Sequence, residues 1–497
     1  MSSAGRARLA RASPFVLIAA VAFALRTLWL DVPVYGDEGW FYSCARYFAA
    51  TLGNVRALEG NAPVSLAPIF WYRPIHALAL APGAAFSFAG YRLINAALSS
   101  LLAPLAVAFA LGRGVRPAMA WATGLVVATL PFLVVWGTLA FADAPATLFL
   151  LAGLVLADRG RRGAALASWL LACWTKESFV VIVAAIFAIE FVTDLRAKRP
   201  LRTRMRTLHA AVVALGPVPF LAARYLLRAP PPGGSGFVPL GDLLDRFFVS
   251  AWLVPLVVIG LWRPRTRNLS ALALVVPFFY AFWDFGLGRI VQAWYATPGL
   301  VLTLVAIAAN LDELGRRLRT AAQRVLGALA VALIALILVA TILLPPGSAR
   351  SALLHPAGGG DPGGLTEAYR YEHAREAEFR AAFEALPAPG NGTVVTVDVY
   401  LGLVMYPVNQ DHREIRWAWT GEARDYGPSL PGWVSAIENS TTFIGPYPSP
   451  LNAALWNTYA DCASYGNARF LVIPAHACDG RGPDLASAYG RARPANA

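Results

Sequence analysis

Two adjacent carboxylates, Asp37 and Glu38, open a stretch crowded with aromatic residues, Trp40, Phe41 and Tyr42. A carboxylate held among aromatics at the end of an apolar run is equipped to take a proton from a hydroxyl. A solvated acid pair at a helix start, where negative charge is favoured anyway, gives the same string. A third carboxylate, Asp143, stands two residues before Pro145, where a plain helix cap is the competing reading. Cations recur near these acids: Arg73 before Pro74, Lys176 before Glu177, and Arg289 ahead of Trp294-Tyr295. Any one of them alone reads as a side chain reaching out to a lipid head group. Together, a base, several cations and aromatic surface suit displacement at a sugar carbon with a phosphate as leaving group. The base would activate an acceptor hydroxyl, the transition state would gather oxocarbenium character, and fixed cations would stabilise the departing phosphate. No nucleotide is needed for this, and the sequence has neither a P-loop nor a Gly-x-Gly-x-x-Gly run after a strand.

The elements that must position these residues are set by an apolar composition. Of 497 residues 57% are hydrophobic and 14% charged, against about 25% charged in a soluble domain. Mean hydropathy is +0.53. Such a chain is expected in the cell membrane, with lipid as its solvent. The net charge of +13 does not point to nucleic acid. Its Arg and Lys fall in short clusters between apolar runs: Arg6 to Arg11, Arg113 with Arg116, Arg159 to Arg162, Arg196 to Arg206, Arg263 to Arg267 and Arg316 to Arg324. That is the positive-inside pattern. Apolar runs between successive clusters must cross an even number of times, which gives about eleven transmembrane helices near the ~20 residues a bilayer requires. The N-terminus is then cytoplasmic, and the first outer loop (31–90) lies on the same outer side as the C-terminal end. Pro14 to Leu30, interrupted by Arg26, reads as an uncleaved first span. Pro74 to Ala89 is too short for a span and reads as a re-entrant or surface-lying helix. Between Arg162 and Arg196 two short helices should meet at the charged turn Trp174-Thr-Lys-Glu-Ser178, a costly placement unless it faces protein or water.

Three parts follow: a membrane module over 1–344, a Gly/Pro-rich linker over 345–365, and a small extracytoplasmic α/β domain over 366–497. Glu367 to Leu386 has the pattern of an amphipathic helix, and Thr393 to Val399 and Phe470 to Pro474 that of buried strands. Cys462 and Cys478 either pair in the oxidising compartment or remain free thiols.

The set resembles the C-type glycosyltransferase superfamily, in the branch of protein O-mannosyltransferases and bacterial aminoarabinose-type transferases. The resemblance covers about the first 310 residues. It is carried by Gly36-Asp-Glu-Gly-Trp-Phe-Tyr42, Tyr72-Arg-Pro-Ile75, Gly90-Tyr-Arg-Leu-Ile-Asn95, Leu139-Ala-Phe-Ala-Asp-Ala-Pro145, Thr175-Lys-Glu177 and Trp294-Tyr-Ala-Thr-Pro298. It implies transfer of a sugar from a polyprenyl-phosphate donor to a hydroxyl of a protein, lipid or glycan on the outer face. Asp37 would be the general base, supported by Glu38 and Asp143; Arg73 and Lys176 would hold the donor phosphate, with Arg289 and Tyr295 lining that site. Tyr72 replaces an acidic residue found in some relatives, which weakens the case for a divalent metal there; no other cofactor is implied. A membrane transporter or lipid flippase is the alternative. Internal repeats are expected of such a protein and none is visible, and the charges gather at one membrane face.

Overall fold

A computed structural model describes residues 3–30, 38–50, 72–198, 203–226, 253–283 and 293–317. In the C-terminal part it describes 394–396, 415–417, 430–439, 441–444, 450–466 and 470–492, besides a few single positions. The chain forms two compact units. One comprises 1–31, 71–226 and 231–366; the other comprises 32–70, 227–230 and 367–497.

The first unit is helical. Helix α1 spans Ser3–Thr27, and α2, Glu38–Ala50, belongs to the second unit. The short helix α3, Pro74–Ala84, begins on a proline, whose missing N–H costs nothing in a first turn. It crosses α4, Phe88–Ser100, so closely that a Cβ on Gly83 would meet the Gly90 carbonyl oxygen at 2.2 Å. Helices α5, Leu102–Gly112, and α6, Pro117–Thr129, follow. Pro131 then starts α7, Pro131–Thr138, and the chain bends by 55° between α6 and α7. Helices α8, Asp143–Asp158, and α9, Arg162–Thr175, lie against each other. Gly153 permits that approach, because a Cβ there would strike the Trp169 indole at 2.3 Å. After them come α10, Phe179–Arg196, α11, Thr203–Leu215, α12, Arg267–Ala281, and α13, Thr297–Arg317.

Among the described residues three helical stretches are long and apolar enough to cross a membrane: Phe88–Gly112, Thr207–Leu226 and Thr297–Arg317. The bent pair α6–α7 makes a fourth if it is one span. The short α3 and the two helices meeting near Lys176 occur where the sequence places them. The last span expected from the sequence, ending near Leu344, and the helix expected over 367–386 lie outside the described residues, save a few single positions of the latter.

The second unit contains a five-stranded sheet. Its strands are β1 (Val394–Thr396), β2 (Ile415–Trp417), β3 (Thr442–Ile444), β4 (Tyr465–Gly466) and β5 (Leu471–Ile473), in the order β2-β1-β3-β5-β4. Strand β1 runs parallel to both neighbours, and β5 antiparallel to β3 and β4. Helices α14 (Leu430–Asn439), α15 (Pro450–Tyr459) and α16 (Gly482–Ala492) accompany it. Trp433, Ile437, Leu455, Leu471 and Ile473 share one buried core. Cys462 and Cys478 form a disulfide with Cα atoms 5.9 Å apart, which settles the choice that the sequence leaves open.

Candidate active site

Four charged side chains from three helix junctions converge within the first unit. Arg73 is the residue just ahead of α3, and its guanidinium donates to both carboxylate oxygens of Glu177, at 3.2 and 3.3 Å. Asp143 is the first residue of α8, and its Oδ2 accepts from the Lys176 ammonium at 2.8 Å. That second pair is dry: both side chains are 1% exposed. The positive end of α8 favours a carboxylate at Asp143, but its partner is a side chain 33 positions along and not the helix backbone. The plain-cap reading of Asp143 therefore does not hold.

The backbone at Lys176 explains how two neighbouring residues serve different partners. Helix α9 ends at Thr175, and Lys176 is extended, with φ −151° and ψ 127°. In an extended chain successive side chains point opposite ways. Lys176 therefore turns to Asp143 while Glu177 turns to Arg73. The chain then re-enters a helix, with the Phe179 amide donating to the Lys176 carbonyl at 3.1 Å.

Aromatic rings cover this cluster. The Lys176 ammonium sits 3.7 Å from the centroid of the Tyr295 ring, within range of a cation–π attraction. Tyr295 stacks on Tyr280 at 5.3 Å, and the Tyr280 hydroxyl donates to Ser178 Oγ at 2.9 Å.

Behind Asp143 lies a set of residues to which the sequence motifs assign no role. Tyr91, Asn95 and Ser99 fall at i, i+4 and i+8 on α4, so they line one face of it. All three are fully buried. Ser99 Oγ donates to the Gly137 carbonyl at 2.7 Å. Asn95 Nδ2 reaches the Gly137 and Leu139 carbonyls at 3.0 Å each, and the Tyr91 hydroxyl donates to the Ala140 carbonyl at 3.2 Å. These are carbonyls at the end of α7 and in the turn beyond it, where helical partners run out. The segment that delivers Asp143 is thus held from one helix face. Tyr91 also meets His76 Nε2 at 3.3 Å, which ties that face to α3, the helix that Arg73 precedes. Arg26 braces the other side of the bend, donating to the Ala22 and Leu133 carbonyls at 2.9 and 3.1 Å. The i, i+4 spacing of Tyr91 and Asn95 inside Gly90-Tyr-Arg-Leu-Ile-Asn95 is the signal that marks this face in the sequence.

The structure thus brings together Arg73, Lys176, Asp143 and Tyr295, and adds Glu177. Glu38 is buried in the second unit. Asp37 and Arg289 lie outside the described residues. Among the described residues no three His, Cys, Asp or Glu side chains could share a metal ion.

Residues 79–216 match the family described as dolichyl-phosphate-mannose-protein mannosyltransferase. No curated protein matches the chain by overall sequence. The crystal structure of ArnT from Cupriavidus metallidurans bound to undecaprenyl phosphate superposes with a TM-score of 0.60, covering 95% of this chain and 99% of that one at 16% identity. The apo state of that protein gives 0.57 at 15% identity, with 94% and 99% covered. The chain has the fold of a C-type glycosyltransferase. In this C-type fold the family match runs from α3 to the end of α11 and takes in Tyr91, Asn95, Asp143, Lys176 and Glu177.

Proposed function

We propose that the protein transfers a sugar from a polyprenyl-phosphate donor to an acceptor hydroxyl on the outer face of the membrane. The observation that carries this reading is the buried cluster Arg73–Glu177 and Lys176–Asp143 under Tyr295. Similarity to a protein whose structure holds undecaprenyl phosphate supports the donor class.

The cluster suggests how a phosphate is received. Two cations and two carboxylates sum to zero, each cation already paired, Lys176 with Asp143 away from water and Arg73 with Glu177 largely so. A donor phosphate would compete with the carboxylates for Arg73 and Lys176, exchanging one set of charge-assisted hydrogen bonds for another. Charge grows on the leaving phosphate as the glycosidic bond breaks, and Arg73 and Lys176, fixed beforehand, stabilise it. Tyr295 and Arg289 would line the phosphate site. Asp37 would take the acceptor proton, with Glu38 and Asp143 in support. The Asp143 carboxylate is released when Lys176 turns to phosphate, so it also holds the ammonium in place before the donor arrives.

Purified protein incubated with a panel of radiolabelled polyprenyl-phosphate sugars tests the reading. Release of polyprenyl phosphate from one of them is expected. A panel without any turnover, together with donor-independent transport of lipid in vesicles, would favour a flippase instead.

A further inference from the structure

The helices that carry Asp143 and Lys176 also frame a second polar cluster, at their other ends. Helix α8 has 16 residues from Asp143 to Asp158, a length of roughly 22 Å. Beside Asp158 opens a cavity of about 190 Å³ whose lining includes Arg113, Asp158, Arg162, Trp169, Glu190 and His209. Arg113 pairs with Asp158 at 3.1 Å, and both side chains retain solvent access. His209 lies 3.8 Å from Glu190 and stacks flat on Phe187, with ring centroids 4.0 Å apart. Trp169 packs edge-on against Phe187, so one aromatic wall runs from α9 through α10 to α11.

Two guanidinium groups and two carboxylates face one cavity, so with His209 neutral its charge sums to zero. A ligand of one sign would engage only half of these groups. A ligand carrying both signs satisfies the set. Apart from Asn268 the remainder of the lining is apolar, and helices α10 and α11 expose Phe191, Val192, Leu195 and Leu208. Those side chains suit acyl chains. We propose that this cavity binds the zwitterionic headgroup of a glycerophospholipid, its phosphate on Arg113 and Arg162 and its primary ammonium on Asp158 and Glu190. A primary ammonium donates three hydrogen bonds to carboxylates, which a trimethylammonium cannot do. The site therefore selects phosphatidylethanolamine over phosphatidylcholine. A bound headgroup ties together the ends of α8, α9 and α10 remote from Lys176. This inference does not rest on the proposed reaction.

The test is native mass spectrometry of the full-length protein in detergent, titrated separately with phosphatidylethanolamine, phosphatidylcholine and phosphatidylglycerol of identical chains. Phosphatidylethanolamine is expected to be retained most. Arg162→Gln and Glu190→Gln should each weaken that retention about tenfold, the effect of one lost charge-assisted contact. Both substitutions lie on cavity-lining residues with open or half-open side chains, and melting curves of each variant check that it folds. Equal retention of the three lipids would overturn the proposal, and so would wild-type retention in both variants. Displacement of the lipid by millimolar free phosphoethanolamine would also overturn it, since the site would then belong to a soluble zwitterion.

Discussion

The two ends of helices α8 and α9 hold similar residues in different surroundings. At one end Lys176 and Asp143 pair with 1% of each side chain exposed. At the other Arg113 and Asp158 pair at nearly the same distance with 35% and 19% exposed. Composition and spacing do not separate them; burial does. A pair removed from water is weak evidence for stability, yet loss of one partner strands a charge and costs about 3–5 kcal/mol. A pair that keeps its water loses about 0–1 kcal/mol on the same change. The dry pair is therefore the one at which loss of a partner is costly, and the wet pair the one that tolerates such a change.

The comparison breaks first at Lys176. Lys176→Met should destabilise the protein by about 3–5 kcal/mol, because Asp143 then stays buried and unpaired; a shift in thermal or denaturant midpoint reads this. Adding Asp143→Leu should restore most of the stability, since replacing both partners with apolar residues is often neutral. Donor turnover should stay lost in that double variant. Recovery of turnover along with stability would reduce the pair to scaffold.

Next in size is the face behind Asp143. Asn95→Ala leaves two buried carbonyls without their donor, at a cost of about 1–3 kcal/mol. Tyr91→Phe removes one hydroxyl that touches both Ala140 and His76, for about 1 kcal/mol. Turnover should fall about tenfold in the Tyr91→Phe variant while donor KM changes little, as for any loss of geometry at the reacting centre. A change confined to KM would detach this face from Asp143.

Smallest of all should be Asp158→Asn at the wet end. A loss of less than about 1 kcal/mol is expected, with turnover unchanged. A loss as large as that of Lys176→Met would erase the distinction between the two ends.

How far the site is legible in the sequence follows the same division. Chain punctuation is local and reads well. Pro74 marks the start of a short helix, and the charged run around Lys176 marks a break between two helices. The strands Val394–Thr396 and Leu471–Ile473 fall within apolar runs that alternate with turn residues. Pairing is not local. Asp143 has the sequence of a helix cap, and only the fold shows its carboxylate on Lys176. Glu177 reads as part of a charged turn until the extended backbone at Lys176 separates the two neighbours. Tyr91 and Asn95 stand in a motif, but their task depends on carbonyls some 40 or more positions away. Span counting rests on uninterrupted apolar runs. The bend between α6 and α7 shows that such a run need not be one straight helix when a proline such as Pro131 starts a new one.

The most direct test of the central claim is a double-mutant cycle on Arg73 and Lys176, read by polyprenyl-phosphate release. If both cations stabilise one leaving phosphate, each change to Gln should cut turnover strongly. The double variant should then depart from additivity by about 1 kcal/mol or more. Small, additive losses would contradict the account and return both residues to a structural role.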